Sequence, residues 1–244
     1  MRTGMDYNFE DLANGIRIAV SKQHTFGTDA FLLTEFASPR RKDTVCDLGT
    51  GCGIIPLLMD VEMKPSRIVA VDIQPQAIEQ LNISIEQSRT DNIRAYVADI
   101  KKLWEDCPDI QKASFDVVTC NPPYKASGAG IESELTAEKI ARHEVLCDIY
   151  DICRTASQLL KFGGRLCLCN RPERLADVTD AMRKSGIEPK SLRFVSKTPD
   201  DAPWLFLIEG KKGSKPFLKV LPQLCMNSPM PVALMKYYRK DGNR

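Results

Sequence analysis

Asn121-Pro122-Pro123-Tyr124 places a carboxamide, two residues without backbone N–H groups and an aromatic ring side by side. The two prolines fix two φ angles and leave bare carbonyls, and Pro122 drives Asn121 towards an extended backbone. The product is a stiff loop suited to holding a planar, amine-bearing group. Phe115-Asp116-Val117-Val118-Thr119-Cys120 precedes it, apolar and β-branched, which predicts a buried strand with the loop at its carboxyl end. Ligands of open α/β sheets bind outside such ends.

A second constellation is Asp47-Leu48-Gly49-Thr50-Gly51-Cys52-Gly53, between a predicted strand and a predicted helix. Glycines permit a tight turn and close backbone approach, and the helix N-terminus favours negative charge. Asp72 and Asp99 end the next two predicted strands. Asp72 is placed to accept hydrogen bonds from ribose hydroxyls, and Asp99 from an adenine amine. The glycine spacing is G-x-G-x-G, not the G-x-G-x-x-G of pyrophosphate binding. An acidic Asp47 beside the turn would repel a pyrophosphate and suit the ammonium and sulfonium groups of S-adenosylmethionine.

These residues need a scaffold, and the chain supplies a regular one. Predicted strands are 44–48, 67–71, 93–98, 115–120, 165–169, 192–196 and 204–209. Helices are expected at about 54–60, 75–87, 143–160 and 173–185, with Gly163-Gly164 as the C-cap of the third. This alternation predicts an α/β doubly wound sheet of seven mostly parallel strands, helices on both faces, with the last strand antiparallel. The two final strands are too close in sequence for a helical crossover, so they should pair as a hairpin. Before the alternation, residues 8–21 read as a hairpin around Asn14-Gly15, and Thr28-Asp29 as the cap of a helix through Phe36. The expected division is an N-terminal extension, 1–42, packed on a catalytic domain, 43–244. The tail from Lys211 reads as irregular and basic.

Composition narrows the classes. The 244 residues suffice for a substantial core, and no apolar run approaches the roughly 18 residues of a membrane span. The N-terminus has no apolar signal core, which sets the expectation of a cytoplasmic protein. Nine scattered cysteines without C-x-x-C pairs, and only two histidines, give no metal site and read as buried thiols. Cys120, next to Asn121, has no evident base and reads as a strand residue. Net charge is +2, but residues 1–120 carry −5 and residues 121–244 carry +7. A basic C-terminal half points to a polyanionic partner.

Asp47–Gly53, Asp72, Asp99 and Asn121–Tyr124 together resemble a class I (Rossmann-like) S-adenosylmethionine-dependent methyltransferase of the amino-group type. Gln23–Leu33, Gly53–Leu58, Ala141–Glu144 and Arg171–Leu175 further resemble the bacterial tRNA(Val) adenine-N6 methyltransferase family, over about residues 8–240. The turn has Cys52 where many relatives have a small serine. The resemblance implies methyl transfer to the exocyclic nitrogen of an adenine in tRNA. Asn121 and the Pro122 carbonyl would accept from its hydrogens while Tyr124 stacks on the base. It also implies a donor site of Phe26, Thr28, Asp29, Asp47, Gly49, Gly51, Gly53, Asp72, Ile73, Asp99, Ile100 and Asn121. His24 and His143 read as structural or loop-ordering. Residues 125–139 form a long loop beside the reactive site. Lys125, Arg171, Arg174, Lys190, Arg193, Lys211, Lys212, Lys215 and Lys219 are candidate phosphate contacts. Glutamine-N5 methylation of a protein and a non-catalytic RNA-binding protein stay open as alternatives, and monomer or homodimer is undecided.

Overall fold

The computed structural model describes residues 7–12, 15–122 and 147–227. Its centre is a nine-stranded sheet with spatial order β10-β8-β9-β7-β6-β3-β4-β5 and β11 pairing β8. The strands are β3 (Thr44–Leu48), β4 (Arg67–Asp72), β5 (Ile93–Val97), β6 (Phe115–Cys120), β7 (Leu160–Asn170), β8 (Ile187–Ser196), β9 (Leu205–Lys212), β10 (Lys219–Val220) and β11 (Leu224–Cys225). All neighbouring pairs are parallel except those of β9, which runs antiparallel to both β7 and β8. The seven expected strands are present, and the reversed strand is the last of them. The chain steps from β3 to β4 to β5 in one direction and then returns to place β6 on the other side of β3. In open sheets of this kind ligands bind at such a reversal, here the carboxyl ends of β3 and β6.

Alternating strand residues feed two cores. Val45, Ile68, Val117, Cys167 and Cys169 face one side, with α1 (Thr28–Ala37), α2 (Ile54–Glu62) and α3 (Pro75–Ser88). Cys46, Val69, Val118, Leu166 and Leu168 face the other, with α5 (Ile149–Leu159) and α6 (Leu175–Lys184). A short α4 (Leu103–Asp106) follows β5. All nine cysteines are free; seven are buried, Cys147 and Cys225 partly exposed. Among the described residues no helix is long and apolar enough to cross a membrane.

The hairpin β1 (Asn8–Asp11) and β2 (Arg17–Val20) forms a separate two-stranded sheet; Asn14 lies outside the described residues. β2 is fastened to α3 by Ser84 Oγ, which accepts from the Ala19 N–H at 2.9 Å, and by Gln80, which donates to the Ala19 carbonyl at 2.6 Å. Gln80 also donates to the His24 carbonyl at 2.9 Å, so His24 is a buried anchor of this segment. Arg165 Nη2 donates to the Ala37 carbonyl at 3.0 Å while its Nη1 meets Glu209 at 2.6 Å, which ties α1 to β7 and β9.

Several local expectations are corrected. Gly27, extended, is the N-cap of α1, and Thr28 and Asp29 are its first helical residues, with no side-chain cap bond. α5 starts at Ile149 under a reciprocal capping box between Asp148 and Asp151, where the sequence suggested a start near His143, outside the described residues. Gly163-Gly164 is not a helix C-cap. α5 ends at Leu159 and the chain enters β7 directly; the pairing with β6 slips from Phe115↔Leu160 to Val117↔Arg165. Gly163 has φ 78°, and a Cβ on Gly164 would crowd the carbonyl oxygens of Lys161 and Phe115, each at 3.1 Å. The glycines therefore accommodate a bulge. Residues 172–174 form a 3-10 turn before α6. Within the described part of the tail, Lys211 and Lys212 belong to β9, and β10 and β11 extend the edge beside β8.

Candidate active site

The turn after β3 carries positive φ at Gly49 (69°), Gly51 (55°) and Gly53 (83°). Side chains on L-residues disfavour this region, so the backbone here favours glycine. The N–H groups of Gly49 and Thr50 donate to the Val71 carbonyl at 2.8 and 3.0 Å, which clamps the turn to β4. A Cβ on Gly49 or Gly51 would meet nothing within 4 Å, whereas one on Gly53 would collide with Leu81. Gly49 and Gly51 thus border open space, and Gly53 packs α2 against α3.

Asp72 ends β4 and is 6% exposed. Its Oδ2 accepts from the Gly51 N–H and its Oδ1 from the Gln74 N–H, both at 2.9 Å. The carboxylate spans the glycine turn and the entry to α3, a tie that sequence spacing did not reveal. A carboxylate has about four acceptor positions, so two remain for hydroxyl donors. Asp99 likewise accepts from the Lys101 N–H at 2.9 Å and caps the 3-10 turn Ile100–Lys102. Ile73, 41% exposed, and the half-buried Ile100 present apolar side chains beside these two carboxylates in the chain.

Asp47 is 1% exposed. Its Oδ1 accepts from the Thr119 hydroxyl at 2.6 Å, and its Oδ2 is buried without a hydrogen-bond partner. Burial pushes its pKa up to about 7; the hydroxyls of Thr119 and, more distantly, Thr50 oppose that rise and the negative charge of Asp72 adds to it. An unpartnered carboxylate oxygen at the root of an open glycine turn fits a cationic ligand. The chemistry of these candidate donor-site residues fits S-adenosylmethionine.

Leu48 and Cys120 are register partners, so Gly49 and Asn121 leave adjacent strands side by side. Cys120 and Leu168 are partners in turn, which brings Asn121 next to Cys169. The Cys169 thiol donates to Asn121 Oδ1 at 3.0 Å. Burial holds the thiols of Cys120 and Cys169 well above their ordinary pKa, so neither is poised as a nucleophile. Pro122 is half-buried; Pro123, Tyr124, Lys125, the rest of the 125–139 loop and Arg142-His143-Glu144 lie outside the described residues.

On the α1 side, burial raises the pKa of Asp29, opposed by the charge of Arg171. Thr28 is half-buried. Phe26 meets the Phe31 ring edge-on, centroids 5.8 Å apart, and packs against the core.

The basic residues divide. Arg171 and Arg174 follow β7 at the carboxyl end of the sheet. Arg171 donates to the Trp204 carbonyl at 2.8 Å and stands 5.6 Å from the Trp204 ring centroid; Arg174 pairs with Asp177 at 2.9 Å. Arg193 is level with Leu207, itself level with Cys169, but its Nε is buried without a hydrogen-bond partner. Lys211, opposite Arg165, and Lys212, opposite Ile187, lie towards the amino ends of the parallel strands, away from the glycine turn. Lys212 donates to the carbonyls of Ser157 and Leu160 at 2.6 and 2.9 Å, where α5 runs out. Lys190 donates to the Lys215 carbonyl at 3.1 Å on the outer edge, near Lys219 of β10. The geometry does not gather these lysines around the site.

A family described as a methyltransferase domain matches residues 39–206. The chain belongs to that family. The tRNA1(Val) (adenine(37)-N6)-methyltransferase of Parabacteroides distasonis is 29% identical over 184 residues, 75% of each chain. The enzyme of the same name from Histophilus somni is 34% identical over 143 residues, 57% of this chain and 58% of its own. A predicted O-methyltransferase from Agrobacterium tumefaciens superposes with a TM-score of 0.63 at 22% identity, covering 82% of this chain and 88% of that one. That likeness concerns the fold alone. The methyltransferase sheet thus carries the candidate donor residues at the ends of β3, β4 and β5 and the candidate acceptor residue Asn121 after β6.

Proposed function

We propose that this methyltransferase transfers a methyl group from S-adenosylmethionine to the exocyclic N6 of an adenine in tRNA, within the anticodon loop. The observation that carries the reading is the position of Asn121. Its carboxamide stands one residue beyond Cys120, beside the glycine turn, with Oδ1 held by a thiol donor. When bound, S-adenosylmethionine supplies an electrophilic methyl group activated by its sulfonium.

The chain's own residues do the rest. Asp47 places a buried negative charge near the donor's cationic end. Asp72 holds the turn and offers its remaining lone pairs to hydroxyls, and Asp99, Ile73 and Ile100 receive the base. Thr28 and Asp29 border the donor's methionine end. The adenine nitrogen is a poor nucleophile because its lone pair is delocalised into the ring. Asn121 Oδ1 and the Pro122 carbonyl accept from its two hydrogens and direct the lone pair at the methyl carbon. This is alignment and preorganised electrostatics, without proton abstraction by a strong base. Tyr124 stacks on the base. Adenine, and not a protein carboxamide, is supported by the names of the two relatives and by the net charge of +7 on residues 121–244.

The test is transfer of labelled methyl from S-adenosylmethionine to total tRNA, followed by nucleoside analysis. Labelled N6-methyladenosine supports the proposal. Label confined to a protein carboxamide, with none in tRNA, would replace it with glutamine-N5 methylation. Donor binding without any transfer would leave an RNA-binding protein.

A further inference from the structure

We propose that Cys169 is a positioning residue for the acceptor carboxamide: its thiol fixes which face of the Asn121 amide meets the substrate amine. The inference rests on the assignment of Asn121 above. The carboxamide terminal torsion is broad and roughly two-fold, so an unrestrained asparagine at a loop mouth exchanges its oxygen and nitrogen. Only the oxygen can accept from an amino group; the NH2 end would set donor against donor. Cys169 Sγ lies 3.0 Å from Asn121 Oδ1, and Cys169 is itself 0% exposed in β7.

The neighbouring strand register explains why this contact is built in. Cys120↔Leu168 pairing sets the two residues side by side at the carboxyl edge, on strands whose flanking residues are fully paired. Burial keeps the sulfur protonated, hence a donor, at neutral pH. The thiol occupies one lone pair of Oδ1 and leaves the other for the incoming amine. A serine would present the same donor; an alanine would present none.

The experiment compares Cys169→Ala, Cys169→Ser and Asn121→Ala with the unaltered full chain. It measures steady-state methylation of total tRNA, S-adenosylhomocysteine affinity by calorimetry, and thermal midpoint. Cys169→Ala is expected to lower kcat about two- to fivefold, the range of one weak hydrogen bond, with donor affinity and tRNA KM unchanged. Cys169→Ser is expected to recover most of that loss. A Cys169→Ala variant with unchanged kcat, beside an inactive Asn121→Ala, overturns the positioning role alone. So does a loss that Ser does not rescue and that tracks the thermal midpoint, because it marks simple packing. An Asn121→Ala variant with full turnover removes both this inference and the assignment beneath it.

Discussion

Asp47 and Thr119 are register partners across β3 and β6, and the Thr119 hydroxyl donates to Asp47 Oδ1 at 2.6 Å while Oδ2 is left buried and unpartnered. The pair joins β3 to β6 one residue before the strands end at Leu48 and Cys120. One carboxylate oxygen is spent on the fold and the other is held in reserve.

That reserve predicts a pH dependence. With its pKa pushed up to about 7 by burial, Asp47 loses its charge as pH falls through neutrality. Affinity for a cationic donor should therefore weaken on going from pH 8 to pH 6, and Asp47→Asn should bind weakly and flatly across that range. Calorimetric titration of S-adenosylmethionine at each pH checks this; identical affinity at pH 6 and pH 8 contradicts it. Stability should move the opposite way. The folded state keeps this proton up to about pH 7, whereas an unfolded aspartate gives it up near 3.8. The contribution is full below that lower value and is lost as pH rises to about 7. Asp47→Asn should flatten that slope in thermal melts.

Gly51 and Gly53 should separate binding from folding. Both have positive φ, but only Gly53 faces a side chain, Leu81. Gly53→Ala should cost about 2–4 kcal/mol, strain plus overpacking. Gly51→Ala should cost only about 1–2 kcal/mol while projecting a methyl into the open cradle and weakening donor binding. Thermal melts and donor titration of both variants decide; equal destabilisation would contradict the assignment of Gly51 to the donor surface.

Asp72 serves two backbone donors, so its removal should do more than lose a ligand contact. Asp72→Ala orphans the N–H groups of Gly51 and Gln74, a cost of about 1–3 kcal/mol for each that stays buried. Lower thermal stability and weaker donor affinity are expected together. Unchanged donor affinity would overturn its place in the site.

The strand–helix alternation was legible because each strand is a short apolar run ended by a polar or glycine signal, as Thr44–Leu48 before Gly49 shows. The placement of the candidate site residues at the ends of β3, β4 and β6 was legible for the same reason, since each lies at the close of such a run. What escaped is what one-dimensional spacing cannot carry. Gly163-Gly164 has the composition of a helix cap, and only the Phe115 and Lys161 carbonyls beside it make it a bulge. Short edge pairs such as Lys219–Val220 depend on a neighbour, β8, and carry no periodic signal. Asp72 and Asp99 were seen as ligand contacts, while the backbone N–H groups they hold are set by turns. The Cys169–Asn121 contact joins residues 48 apart and needs the β6–β7 register.

The basic residues give a further test, since Arg174 lies at the carboxyl edge and Lys211 towards the opposite end of the sheet. Arg174→Glu should raise the tRNA KM and reduce the salt dependence of binding, with kcat little changed. Lys211→Glu should leave KM within about twofold, the effect of a distant screened charge. Filter binding across a salt series reads both. A larger effect at Lys211 would move the RNA footprint to the far end of the sheet.

The most direct measurement is single-turnover methyl transfer to tRNA by Asn121→Ala at saturating S-adenosylmethionine, paired with calorimetric donor affinity. Removing the carboxamide should slow the chemical step about 100-fold or more, the scale of losing one preorganised transition-state contact, with donor affinity unchanged. Turnover at the unaltered rate, or loss of donor binding in step with turnover, would contradict the placement of Asn121 at the acceptor nitrogen.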